Sequence, residues 1–221
     1  MLAGRDSRTQ EFMRVLRISR EFVRGFRALH RIGPCVTFFG ASRFGESHPY
    51  YEPSRDLARR VAELGFNIIT GGGPGLMEAA NRGAREGGTM SIGATIDINN
   101  EAPNSFVDRR IPFHYFFARK VVLVKYSYGF VMLPGGMGTL DEMFEAVTLI
   151  QTNRLAQFPI ILYGSDYWEG LVDWLRDVPL AKGAFSAADL ARIRLTDDDD
   201  EVVERLSLLA RQLHLEPARR T

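Results

Sequence analysis

Apolar runs alternate along this chain with longer stretches in which apolar residues recur every three or four positions. Residues 9–30, TQEFMRVLRISREFVRGFRALH, open the pattern with Phe12, Leu16, Ser19, Phe22, Phe26 and Leu29 at helical spacing, and Arg and Glu between them. That spacing predicts an amphipathic helix lying outside the strand pattern. CVTFFG (35–40) then reads as a strand, 49–64 as a helix with Leu57, Val61 and Leu64 on one face, FNIIT (66–70) as a strand and 75–86 as a helix. MSIGATI (90–96), a helix over 113–125, GFVML (129–133), a helix over 139–152, FPIIL (158–162) and a helix over 166–176 continue the alternation. Strands that are apolar on both faces and separated by helices predict a parallel sheet covered on both sides. Right-handed crossovers make that sheet an α/β, doubly wound, Rossmann-like fold. At the end, LTDDDDEVVERLSLLARQLH joins an acidic run to a helical pattern from Val202 to Leu213. Aspartates at a helix start suit the helix dipole, so the run reads as the solvated first turn of a helical tail over about 199–214 rather than a metal site. There is no repeat and no Pro/Ser-rich linker, and residues 1–221 are expected to form one domain.

Composition narrows the function classes. The chain has 221 residues, 45% hydrophobic and 25% charged, enough to bury a sizeable core. No apolar run approaches the roughly 20 residues of a membrane span. The N-terminal MLAGRDSRTQEFMR has no apolar core after its charges, so no secretory signal is expected. A formal net charge of +1 gives no general pull toward nucleic acid. Cys35 is the one cysteine, and His30, His48, His114 and His214 are scattered without His-x-x-x-His or Cys-x-x-Cys spacing. A soluble, cytoplasmic protein with neither metal nor cofactor is expected.

The chemistry concentrates in three glycine loops. In a doubly wound sheet the ligand lies beyond the carboxyl ends of the strands, where strand order reverses. If the order is 90–96, 66–70, 35–40, 129–133, 158–162, the reversal falls between 35–40 and 129–133. GASRFG (40–45), GGGPG (71–75) and PGGMGT (134–139) then share one edge. PGGMGT leads into a helix, whose first N–H groups lack internal partners and carry the positive end of the dipole. Glycines let a phosphate approach that backbone, and Thr139 adds a hydroxyl. Glu142 lies one turn inside, facing ligand or solvent. Arg119 and Lys120 interrupt the apolar segment before 129–133, either as one exposed helix face or as a clamp on phosphate or ribose oxygens. No Gly-x-x-x-x-Gly-Lys-Ser/Thr occurs. GASRFG has serine, and GGGPGL leucine, where a dinucleotide fingerprint has glycine.

Together these pieces resemble the LOG family, the "lonely guy" cytokinin-activating nucleotide hydrolases, in its longer bacterial form. The family's Pro-Gly-Gly-x-Gly-Thr-x-x-Glu is met by Pro134, Gly135, Gly136, Gly138, Thr139 and Glu142. Its Arg-Lys pair is met by Arg119 and Lys120, and its Gly-Gly-Gly loop by residues 71–73. The match runs from about Thr37 to Arg176. It implies hydrolysis of the N-glycosidic bond of a nucleoside 5′-monophosphate to free base and ribose 5-phosphate. Glu142 and Arg119 would be the catalytic pair, and Gly135, Gly136, Gly138, Thr139 and Lys120 the phosphate side. Gly40, Ser42, Gly72, Gly73, Met77, Glu78 and Asn81 would line the ligand; for Met77 and Glu78, core packing and helix surface are equal alternatives. Such proteins were long labelled lysine decarboxylases, but only Lys120, Lys125 and Lys182 exist here, none in a recognisable pyridoxal motif. The competing expectation is a non-catalytic nucleotide or molybdenum-cofactor carrier on the same fold. Surplus apolar helix surface, on 139–152 and on the N-terminal helix, predicts a homodimer or larger homo-oligomer.

Overall fold

A computed structural model describes residues 7–96, 103–152 and 159–218. Phe158, the first residue of the expected strand 158–162, and the first six residues of the N-terminal segment lie outside the described residues. Seven strands form one sheet: β1 (Cys35–Phe39), β2 (Asn67–Thr70), β3 (Ser91–Ile96), β4 (Arg109–Phe113), β5 (Ser127–Met132), β6 (Ile160–Tyr163) and β7 (Ile193–Thr196). Every pairing is parallel, in the order β4-β3-β2-β1-β5-β6-β7. The five central strands thus lie in the order read from the sequence, with β4 and β7 added at the edges.

The alternation along β1 shows how the sheet is sandwiched. Cys35 and Phe39 enter one core, which holds Leu29, Phe113, Val122, Met143 and Trp168. Val36 and Phe38 enter the other, with Leu57, Leu76, Leu133 and Leu206. Helices α1 (Arg8–Leu29), α4 (Phe116–Tyr126), α5 (Met137–Gln151) and α6 (Ser165–Leu175) therefore cover the first face. Helices α2 (Tyr51–Glu63), α3 (Leu76–Glu86) and α8 (Asp199–Gln212) cover the second. A π-helical turn, Arg176–Leu180, and the short α7, Ala187–Leu190, bridge α6 and β7.

Phe113, expected at the start of a helix, closes β4 instead. Pro112 has no N–H to donate, which an edge strand tolerates because only its inner side is paired, here with Thr95. The aspartate run caps α8: Asp198 accepts from the N–H of Asp200 at 2.9 Å and of Glu201 at 3.4 Å. Asp199 accepts from the Tyr163 hydroxyl at 2.6 Å, and Asp200 pairs with Arg60.

Candidate active site

Chain direction on the two sides of β1 and β5 opens the cleft. β1 is followed by a helix on one face of the sheet and β5 by a helix on the other, so the loops after them diverge and leave a crevice. Main-chain hydrogen bonds tie the three loops together. The Ala41 N–H donates to the Pro134 carbonyl at 2.9 Å, and the Leu76 N–H to the Ala41 carbonyl at 3.0 Å. The Tyr167 hydroxyl, from α6, donates to the Gly135 carbonyl at 3.0 Å.

The three glycines of the 134–139 turn differ in what surrounds them. A side chain at Gly135 would collide with Thr139, so local packing requires that glycine. At Gly136 and Gly138 a Cβ would meet nothing within 4 Å, and neither has a positive φ. Internal packing does not explain glycine at these two positions, and their lack of a side chain leaves the turn open to close approach from outside. Gly136 is the N-cap of α5, with no side-chain capping bond and no acid in the first turn. The helix therefore presents its unsatisfied N–H groups and positive dipole end to the crevice, an arrangement suited to a phosphate.

Beneath this turn lies a cavity of about 310 Å³. Gly136, Gly138, Thr139 and Glu142 form one side, and Arg119 reaches it from α4. Gly40 and Ser42 line it from the loop after β1, and Met77 from the first turn of α3. Glu142 is 3% exposed and its Oε1 accepts from Arg119 Nη2 at 3.0 Å. Burial pushes its carboxyl above the ordinary glutamate range, while the Arg119 and Lys120 charges hold it part of the way back. A desolvated carboxylate beside one guanidinium is equipped to take a proton from water or to face a developing cation.

The other expected site residues lie outside the cavity wall. Lys120 turns to α5, where its ammonium meets Asp141 at 2.7 Å and Glu145 at 3.0 Å. Glu78 accepts from the Tyr51 hydroxyl at 3.1 Å. Asn81 is fully buried with all its bonding capacity used inward. Its Oδ1 accepts from Thr70 at 2.7 Å and Asn104 at 2.9 Å, and its Nδ2 donates to Ser91 at 2.8 Å and the Ile92 carbonyl at 3.4 Å. Asn104 also donates to the carbonyls of Gly72 and Gly73, so Asn81 and Asn104 support the loop from below. Gly72 has φ +74° and approaches β3 too closely for a side chain.

Gly71, of the Gly-Gly-Gly loop, also lines the cavity, together with Phe39, Ala41 and Phe116, which the sequence does not single out. Phe116 had a usable signal: it is three residues before Arg119 on one helix face, and the Arg119 guanidinium sits 5.3 Å from its ring centroid. Asn104 had none, because its partners are distant in sequence. Among the described residues, no group of three or more His, Cys, Asp or Glu is placed to hold a metal ion. No helix among them is long and apolar enough to cross a membrane.

A protein-family model described as "Possible lysine decarboxylase" matches residues 77–206, more than half the chain, from the start of α3 to the middle of α8. The chain belongs to this family, the LOG family. A LOG-family relative in Oryza sativa subsp. japonica, named as a probable cytokinin riboside 5′-monophosphate phosphoribohydrolase, is 28% identical over 78% of this chain and 82% of its own length. A pyrimidine/purine nucleotide 5′-monophosphate nucleosidase of Escherichia coli K12 is 31% identical over 69% of this chain; the match spans 37% of that longer protein. These names support nucleotide N-glycosidase activity at the level of the family. Among solved structures, a structural-genomics crystal structure aligns with TM-score 0.62 at 24% identity, covering 78% of this chain and 97% of that one. The molybdenum cofactor carrier protein of Chlamydomonas reinhardtii aligns with TM-score 0.57 at 19% identity, covering 83% and 100%. Both share the fold.

Proposed function

We propose that this chain hydrolyses the N-glycosidic bond of nucleoside 5′-monophosphates, AMP or cytokinin nucleotides among them, to free base and ribose 5-phosphate. The observation that carries the reading is the pair formed by buried Glu142 and half-buried Arg119, 3.0 Å apart, facing a cavity whose other wall is the uncapped start of α5. The phosphate binds the helix N-terminus at Gly136–Thr139 and supplies binding energy away from the bond that breaks. Cleavage develops oxocarbenium character at C1′. The Glu142 carboxylate stabilises that charge and orients or deprotonates the attacking water. Water oxygen bonds to C1′ as the C1′–N bond breaks, the bond's electron pair leaves with the base, and the base gains a proton. Arg119 fixes the Glu142 carboxylate and holds ribose or phosphate oxygens. Gly40, Ser42 and Met77 face the base and ribose.

Lysine decarboxylation by a pyridoxal Schiff base fits these residues poorly. Lys120 is the lysine nearest the cavity. Burial opposes its charge, but hydrogen bonds to Asp141 and Glu145 and the Glu142 charge carry it above the ordinary lysine value. A Schiff-base lysine needs the opposite shift. The carrier alternative rests on fold likeness, and a carrier has no use for a buried carboxylate at the phosphate turn. Titration with AMP separates the two: release of free adenine and ribose 5-phosphate supports the hydrolase, and binding without release supports the carrier. A panel of nucleoside monophosphates, scored for ribose 5-phosphate, then ranks the bases. The proposed setting is the cytoplasm, with the chain acting as a homodimer or larger homo-oligomer.

A further inference from the structure

The one buried carboxylate besides Glu142 among the described residues belongs to α1, outside both the family match and the cavity. Glu21 is 6% exposed, and its two oxygens accept from the main-chain N–H of His114 at 3.0 Å and of Tyr115 at 3.1 Å. Those two residues lead into α4. Tyr115 is the N-cap of that helix; it makes no side-chain capping bond, and the first turn of α4 contains no acid. A negative charge at this end is favoured by the helix dipole and satisfies N–H groups that would otherwise be orphaned. Glu21 therefore caps α4 from a different helix, across 93 and 94 residues of sequence.

We infer that Glu21 is a positioning residue for Arg119, and through Arg119 for Glu142. The inference rests on the hydrolase reading above. Phe116 and Arg119 occupy the first turn of α4, directly after the two capped N–H groups. The rest of α1 fixes α4 along its length. Gly25 allows contact so close that a side chain there would press on Val122 and Phe113. Tyr126, at the far end of α4, donates its hydroxyl to the Phe26 carbonyl at 3.1 Å. Arg24 donates to the Pro112 carbonyl just upstream. Apart from the Phe116 ring on the same turn of α4, Arg119 is held through Nη2 on Glu142, and its Nε is buried without a hydrogen-bond partner. Its reach is therefore set by where α4 starts, and Glu21 sets that start.

The test is a double-mutant cycle on the whole chain, with turnover of the best nucleoside monophosphate and hydrogen exchange read in parallel. Glu21→Ala is expected to lower kcat by about tenfold or more, because small misplacement of a catalytic group is costly. In the Arg119→Ala background the same change is expected to lower turnover no further. Glu21→Gln, which keeps one acceptor, is expected to fall between. Amide exchange over residues 114–119 should rise in Glu21→Ala while the core strands stay protected. A folded Glu21→Ala chain with normal kcat, or a second full loss in the Arg119→Ala background, would overturn the inference. If the unaltered chain cleaves no nucleoside monophosphate, the hydrolase reading fails instead. Exchange then decides the latch by itself: unchanged protection over 114–119 in Glu21→Ala overturns it, and increased exchange confined to that segment supports it.

Discussion

Glu142 and Arg119 are each other's main electrostatic context, and that shapes what substitutions at either will do. Glu142→Gln keeps the shape and removes the anionic oxygen. Turnover is expected to drop by about 10²- to 10⁴-fold with nucleotide binding retained; near-normal turnover would remove Glu142 from the chemistry. In the proposed mechanism the group works ionised, so activity is expected to be lost as pH falls through its pKa. Burial has raised that pKa, so the acid limb of the kcat profile is expected to have its midpoint above 4.5, the ordinary glutamate value. The residual rate of Glu142→Gln should lack that limb. Arg119→Ala should weaken binding, turnover or both. Lysine at 119 should not restore the rate, since an ammonium cannot reach Glu142 and a substrate oxygen with one planar fork. Both residues were legible in the sequence because a turn motif and a break in an apolar segment mark them. Lys120 and Asn81 were legible as polar residues near the cleft, but not in their use. Their partners, Asp141 and Glu145 for one and Thr70, Ser91 and Asn104 for the other, come together only on folding.

At the scale of elements, the turn between β5 and α5 separates packing from binding within a few residues. Gly135→Ala is expected to destabilise the chain by about 1–3 kcal/mol, because the new methyl collides with Thr139. Gly136→Ala and Gly138→Ala should leave the melting temperature nearly unchanged and raise KM for nucleoside monophosphates. Thermal denaturation and steady-state kinetics on the same three proteins check both halves; unaltered KM at 136 and 138 would mean that no ligand approaches there. Strands were legible where they are apolar on both faces, as β1, β2, β3, β5 and β6 are. β4 (RRIPF) and β7 (IRLT) were missed because each lies at a sheet edge, where arginine and proline are tolerated and the double-sided apolar signal disappears.

The whole molecule has more apolar surface than its sheet can cover. Phe12, Leu16 and Val23 on α1 and Phe117 and Val121 on α4 stand exposed on the same face of the sheet. Phe22 and Phe117 pack between the two helices at 6.4 Å, so this surface is continuous across them. On α5, Met137 is 83% exposed and Phe144 39%. A homodimer is expected in solution, with light scattering at micromolar concentration giving at least twice the chain mass. A fully active monomer would refute this.

The strand order also sets a timetable for synthesis. β1 through β4 are contiguous in the sheet and are made first; β5, β6 and β7 are then laid against the bare side of β1. A ribosome thus delivers a four-stranded half-sheet whose edge strand β1, central in the finished sheet, waits with one row of main-chain groups unpaired. The wait is short, since β4 ends at residue 113 and β5 begins at 127, about one to three seconds at ordinary elongation rates. The crevice needs loops from both halves, so it is complete only after α5 has emerged. A product truncated before β5 has an open sheet edge and no cleft, and it is expected in the insoluble fraction rather than as a weak binder.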